Sequence, residues 1–399
     1  MLSGARSTGH KLPFFRIGSP SPLHYLSSVV PVLSSVPQEY QRRKLLIGLF
    51  SGALGTVLLS WAVGSGLTRS IEIWLHAWTN EPLVLALGVI AALSVGLAFV
   101  SWPLRWYSGF VLEHAYGLSN QSFGRWLWES LKGSLISLPL GVVVFVLLYY
   151  SLLWYGSQWW MPMGSMLFLL GVVLSRLAPV FILPLFYRQT PLEDERLRSR
   201  IMDLCARAGI HSNGVHVIDL SKNTKKANAA FTGIGKSRRI LIGDTLIQNL
   251  TDDEIAAVVA HEIGHSRLHH IWYGMAMGTA FTFAGLFVAG RFYELALGRL
   301  GDTGLTDPAL LPLLGVCVGV VMFMLGPAGH AYSRVQERAA DRFAVGLIGS
   351  SDPLIRALRK LGIINLADPE PHPLVEALTY SHPSLGRRIR LLEAMTART

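Results

Sequence analysis

Apolar and polar positions along this 399-residue chain alternate on the scale of a bilayer more than of a helical turn. Six stretches, roughly 45–67, 82–104, 134–155, 163–187, 271–293 and 309–330, are each long and apolar enough to cross a hydrocarbon core as a helix. Any one of them could be a buried core helix, but six in one chain could not. Between the fourth and fifth the period shortens. Leu197, Ile201, Leu204 and Cys205 share one face of a helix within 192–208, and residues 214–219, 228–233 and 239–243 read as three strands. A Gly-Lys-Ser turn joins the last two strands. Thr251-Asp252-Asp253-Glu254 then forms a capping box ahead of Ile255, Ala256, Val258 and Val259, an apolar run that belongs in a core. The expected fold is mainly α, a polytopic helical membrane protein of about six spans with a small α/β lobe. Three regions are expected: 1–44, a basic Ser/Pro-rich tail without regular structure; 45–187, a membrane domain of four spans; and 188–399, a lobe with two further spans and a helical C-terminal tail.

Composition agrees with a lipid bilayer as partner, at 51% hydrophobic and only 15% charged residues. The net charge of +10 would also suit a nucleic acid, but no compact basic-aromatic motif supports that partner, and none is expected. Lys and Arg are distributed by side. Counted between spans from the N-terminus they number six, one, three, none, twelve, one and ten. By the positive-inside rule both termini, segment 105–133 and the block 188–270 face the cytoplasm. The membrane is a bacterial inner membrane, the endoplasmic reticulum or another organelle. Cys205 and Cys317 fall in the block and in a span, so they are not expected to pair.

The block carries His261-Glu262-Ile263-Gly264-His265. Histidines four apart share a helix face and can reach one zinc ion, while Glu262 falls where a general base for water belongs. Random order would give roughly 0.03 such patterns in a chain of this composition. The competing reading is a polar surface helix. A hydrolytic zinc site needs a third protein ligand. The metzincin extension is excluded, because Leu268 and Ile271 occupy its glycine and histidine positions. Residues 266–293 hold no carboxylate, and Glu294 would lie across the membrane. Glu337 and Asp341 are the next acids on the correct side, four apart on one helical face. One can bind metal while the other orients a ligand imidazole. The alternative is a charged helix with Arg334–Glu337 and Arg338–Asp341 pairs. A strand beside the HExxH helix could take up an extended peptide by edge pairing, or simply be structural.

With these residues the chain resembles the integral-membrane zinc metalloproteases of the CAAX prenyl protease 1 type. The resemblance covers about 80–392 and rests on Glu113-His114-Ala115-Tyr116-Gly117-Leu118-Ser119-Asn120-Gln121, Asn228-Ala229, the HEIGH run, Glu337 with Asp341, and His382-Pro383. It implies one Zn2+ per chain held by His261, His265 and Glu337, with Asp341 orienting a ligand and Glu262 as base and acid. It further implies catalytic His382 and Arg388 by the scissile bond, either one donating to the oxyanion, and Asn228 and Ala229 on the substrate edge. The implied substrate is a prenylated or other membrane-associated peptide. Departures are EHAYGLSNQS in place of the family's EKxxGFNxQT and six spans against seven in eukaryotic members. HtpX-type quality-control proteases share HExxH and the distal glutamate and are the nearest alternative. A metal transporter or sensor is the alternative from another class, though it has no use for Glu262. Oligomeric state is not legible.

Overall fold

The computed structural model describes residues 35–233, 238–301 and 304–396. Most of the N-terminal tail and the Gly-Lys-Ser turn lie outside them. The N-terminal half is built from α1 (Ser35–Gly64), the short α2 (Leu67–Leu75), α3 (Pro82–Ala115), α4 (Phe123–Gln158) and α5 (Trp160–Phe186). All but α2 are long and apolar enough to cross a bilayer. Residues 35–44 are therefore helix and not tail, because the polar turn Gln38–Lys44 continues the first span. Val95, Phe99, Leu138 and Phe181 are exposed on these helices, as side chains that meet lipid must be.

The lobe follows. Its sheet has four strands, β1 (Gln189–Pro191), β2 (Val215–Ile218), β3 (Ala229–Thr232) and β4 (Arg239–Gly243), in the order β1-β2-β4-β3. Three were expected; β1 is too short and proline-bearing to show a period. Around the sheet pack α6 (Glu195–Arg207), α7 (Asp244–Asn249) and α8 (Asp252–Arg267). Ile201, Ile240, Ile242, Ile255 and Ile263 make their common core. The Asp194 side chain caps α6 at the Leu197 N–H, 3.0 Å away, and the Thr251–Glu254 capping box opens α8.

Two more spans, α9 (His270–Leu300) and α10 (Leu311–Ile348), leave and re-enter the lobe. The chain breaks between α8 and α9 at His269, whose φ of 58° lies in the left-handed region. Helix α10 runs unbroken from the membrane into the lobe and crosses α8 at Gly264. A Cβ there would lie 3.2 Å from both the Cα and the carbonyl oxygen of Ala340, tighter than an ordinary contact, so glycine eases this approach. Helices α11 (Asp352–Ile364), α12 (Pro373–Thr379) and α13 (Leu385–Thr396) close the lobe.

The loops sort to two ends. Arg69 bridges Glu72 and Asp307 at 2.5 and 2.7 Å, and Arg291 donates to the Ser157 carbonyl at 3.1 Å. At the opposite end, residues 113–122 lie on residues 220–226 of the lobe. This is the alternation in which the Lys/Arg counts divide.

Candidate metal centre and active site

Helix α8 presents His261 and His265 one turn apart, and α10 brings Glu337 across to them. The three side chains offer one ligand atom each within 4.8 Å of one another. The two Nε2 atoms are 3.2 Å apart, and Glu337 oxygens lie 3.4 Å from His261 Nε2 and 3.1 Å from His265 Nε2. Zinc bonds of about 2.0–2.1 Å in a tetrahedron give ligand separations of about 3.3 Å, so the triangle fits that ion. Two imidazoles and a carboxylate are also its usual hydrolytic donor set.

The supporting residues hold the imidazoles in orientation. Asp341 Oδ1 is 2.9 Å from His261 Nδ1, which turns Nε2 toward the cluster. Arg388 clasps Asp341 through Nε at 2.9 Å and Nη2 at 2.6 Å, and it is buried. At the other imidazole, His270 Nδ1 lies 2.9 Å from His265 Nδ1. His270 escaped the sequence reading, since five residues is off the helical face until the break at His269 folds it back. The signal was present as four histidines within His261–His270. The expected alternative pairs of a plain charged helix do not form: Arg334 donates instead to the carbonyls of Glu376 and Tyr380, at 3.1 and 2.7 Å.

Charge at the site is short on the positive side. Burial alone would lower His261, but hydrogen bonds to Asp341 and Glu337 override it and raise the imidazole to about 9. A centre of this kind attracts a cation. Burial pushes the Glu262 carboxyl above the usual range, countered in part by the two imidazoles and by the Phe231 N–H.

Glu262 stands between two openings. One is a cavity of about 480 Å³ lined by Asn228, Ala229, His261, Glu337, His382 and Arg388 among others. The second, of about 270 Å³, is lined by Phe231, His265, His270 and Gln336. His382 is mostly exposed in the first, with Nδ1 2.9 Å from Glu337 Oε2. Of the two candidate oxyanion donors, Arg388 has its guanidinium committed to Asp341, which leaves His382 facing the cleft. Strand β3 forms the edge of the sheet and passes beside α8. The Gly243 N–H donates to the Asn228 carbonyl at 2.9 Å, and Ala229 stands opposite Ile242. In an antiparallel ladder this alternation turns the N–H and C=O of Ala229 and Phe231 to the open side. Seven of the nine expected site residues thus line the first cavity, His265 lines the second, and Asp341 sits behind His261.

Residues 191–396 match the sequence profile of peptidase family M48, and residues 35–188 match the CAAX prenyl protease N-terminal profile, described as five membrane helices. The chain belongs to peptidase family M48. It is 32% identical to CAAX prenyl protease 1 of Saccharomyces cerevisiae over 77% of this chain and 71% of that one. It is 28% identical to an uncharacterized metalloprotease of Bacillus subtilis, over 92% and 87% respectively. The crystal structure of S. mikatae Ste24p superposes with a TM-score of 0.80 at 28% identity, covering 90% of this chain and 89% of that one. The protein is a multi-pass membrane metalloprotease of the M48 fold. Among the classes left open by the sequence, the protease stands and the transporter or sensor falls. Four long spans and α2 occupy the region of the five-helix profile.

Proposed function

We propose that this M48 protease uses one zinc ion per chain to cleave peptide bonds near the C-terminus of prenylated or other membrane-associated peptides, on the cytoplasmic face. The observation that carries this reading is the His261–His265–Glu337 triangle, with Glu262 beside it and the open edge of β3 alongside. The prenylated clientele is supported by relatives in yeast and Arabidopsis thaliana that bear the name CAAX prenyl protease 1. The cytoplasmic side is supported by the Lys/Arg-rich end on which the lobe sits.

Zinc held by His261, His265 and Glu337 would supply Lewis acidity, acidifying a water and polarising the scissile carbonyl. Glu262 takes the proton from that water on its carboxylate and returns it to the departing amine. A carboxyl group raised by burial suits both transfers. The His382 ring donates toward the carbonyl oxygen as charge develops there. Asp341, held by Arg388, keeps His261 in one tautomer, and His270 does the same for His265. The main chain of Ala229 and the Phe231 carbonyl pair with an extended substrate, and the Asn228 side chain contacts it.

Two measurements test the reading. Purified enzyme should cleave a farnesylated CAAX peptide at least about tenfold more efficiently than its unprenylated counterpart, a discrimination of roughly 1.4 kcal/mol, and Glu262→Gln should cleave neither. Equal turnover of both would move the clientele toward quality control of membrane polypeptides. Ala229→Pro removes a donor that β4 does not use, since that N–H faces away from it. It should keep zinc and fold yet lose most activity on every peptide, with Asn228→Ala milder. Normal turnover by folded Ala229→Pro would return the sheet to a structural role.

A further inference from the structure

The segment Glu113–Ser122, EHAYGLSNQS, lies away from the His261–His265–Glu337 cluster and makes several hydrogen bonds between the N-terminal membrane domain and the lobe. It turns at Gly117, where φ is 68°, and lies across residues 221–225. The Asn120 side chain donates to the Ser221 carbonyl at 2.8 Å and its N–H to the Asn223 carbonyl at 3.1 Å. The Leu118 carbonyl accepts from the Lys225 N–H at 2.9 Å and from Thr224 Oγ1 at 3.0 Å. Beneath this seam Glu113, with only 12% of its side chain exposed, gathers three partners. Its Oε1 accepts from Tyr40 Oη and Lys44 Nζ, each at 2.7 Å, and its Oε2 lies 2.9 Å from Lys226 Nζ. Lys226 Nζ also donates to Tyr40 Oη at 2.8 Å, which closes the cluster.

Lys226 is two residues before Asn228. From there the chain has no slack. The Lys226 carbonyl accepts from Thr245 Oγ1 at 2.9 Å, and the Asn365 side chain brackets Ala227, accepting from its N–H at 2.9 Å and donating to its carbonyl at 3.1 Å. The Asn228 carbonyl is then taken by Gly243. Helix α1 reaches the bracket too, since Gln41 Nε2 donates to the Leu366 carbonyl at 2.7 Å. The stretch that leads into β3 is thereby fixed from the lobe on one side and from α1 and α3 on the other. A displacement of Lys226 would be passed to Asn228 and Ala229 through two residues whose main chain is already held at both ends.

We propose that Glu113 is a positioning residue for the substrate edge: through Lys226 it sets where Asn228 and Ala229 meet the peptide, and so makes the N-terminal membrane domain part of the binding half of the active site. The proposal rests on the edge-strand reading given above. Its signature is in binding, because the zinc ligands and Glu262 lie on α8 and α10, outside the cluster. Loss of the carboxylate should not unfold the protein. Lys44 and Lys226 have side chains 38% and 33% exposed and can turn to water.

The test is steady-state kinetics on purified variants with a single peptide substrate, alongside zinc content and Tm. Glu113→Gln should raise KM about tenfold with kcat within twofold, and leave zinc and Tm unchanged. Lys226→Met should do the same, and the double variant should be no worse than either single one, because both remove one interaction. Glu113→Asp should recover part of the loss. An unchanged KM in folded Glu113→Gln, multiplying effects in the double variant, or a loss confined to kcat or zinc would overturn the proposal. If Glu113→Gln does not fold, Lys226→Met decides by the same readings. Ala229→Pro separates the two ideas: an inactive Ala229→Pro with an unchanged Glu113→Gln sinks the clamp alone, whereas an active Ala229→Pro sinks the edge reading beneath it.

Discussion

A metal ligand and a general base make different demands on a carboxyl group, and Glu337 and Glu262 occupy surroundings suited to each. Glu337 is buried against both imidazoles, while Glu262 faces two openings through which substrate and water can reach it. The proposed roles separate in a metal assay. His261→Ala, His265→Ala and Glu337→Ala should each be purified without zinc, whereas Glu262→Gln should hold stoichiometric zinc and lose about 10²–10⁴ in kcat. Zinc retained in Glu337→Ala would move the third ligand to Asp341. Asp341→Asn should weaken zinc by about 10–100-fold, because His261 would lose the carboxylate that fixes its tautomer. The two histidines and the base could be proposed from spacing alone, and the structure brings the histidines together with Glu337. Glu337 was legible from spacing only as one of two acids on a face, and its choice over Asp341 came from the resemblance to the CAAX prenyl protease 1 type. Arg388 was readable as a position but not as a partner of Asp341, since 47 residues separate them in the chain.

Elements carry this geometry, and two of them offer tests that leave the ligands untouched. The first is the α8–α10 crossing. Gly264→Ala would press on Ala340 backbone, which cannot yield like a side-chain tip, and would push Glu337 and Asp341 away from the histidines. An overpacking cost of about 1–3 kcal/mol is expected, together with weaker zinc binding, measured by Tm and by titration with a chelator. Wild-type zinc affinity in that variant would mean that the crossing has room to spare. The second is the start of α8. Glu254 is buried, which alone would raise its carboxyl, but Lys360 at 2.7 Å and the Thr251 N–H at 2.8 Å hold it below the usual range. A depressed carboxyl stabilises the fold above its unfolded value near 4.3 and loses that contribution as pH falls through its folded value. Glu254→Gln should therefore cost about 1–2 kcal/mol at neutral pH, and the gap in Tm should close below about pH 4. A gap that is constant with pH would assign the effect to packing. The long elements announced themselves by apolar length and the capping box by its four residues. Strand β1 did not, because three residues containing Pro191 have neither period nor propensity. His270 stayed hidden because helical spacing assumes a continuous helix, and His269 breaks it.

At the scale of the whole molecule, sidedness is set by many small contributions that agree. Each Lys or Arg near a span end favours the cytoplasmic side only modestly, but the poor segments 68–81, 156–162 and 294–308 alternate with the rich ones along the chain. Tertiary contacts tie the poor segments together independently of the count. Arg69 reaches Asp307, and Arg291 reaches Ser157. These contacts link α2 to the start of α10 and the end of α9 to the turn between α4 and α5. The Glu113 cluster ties rich segments in the same way, and it was invisible in the sequence because its members come from three distant segments. Exposed Ser70 and Ser199 mark the two ends for chemistry. In a background lacking Cys205 and Cys317, Ser70→Cys should react with an impermeant maleimide in intact cells, and Ser199→Cys only after the membrane is opened. The same pattern should hold in Glu262→Gln, since catalysis plays no part in insertion. Labelling of Ser199→Cys in intact cells would place the lobe outside, and the peptides offered to that cleft would then have to come from the other face of the membrane.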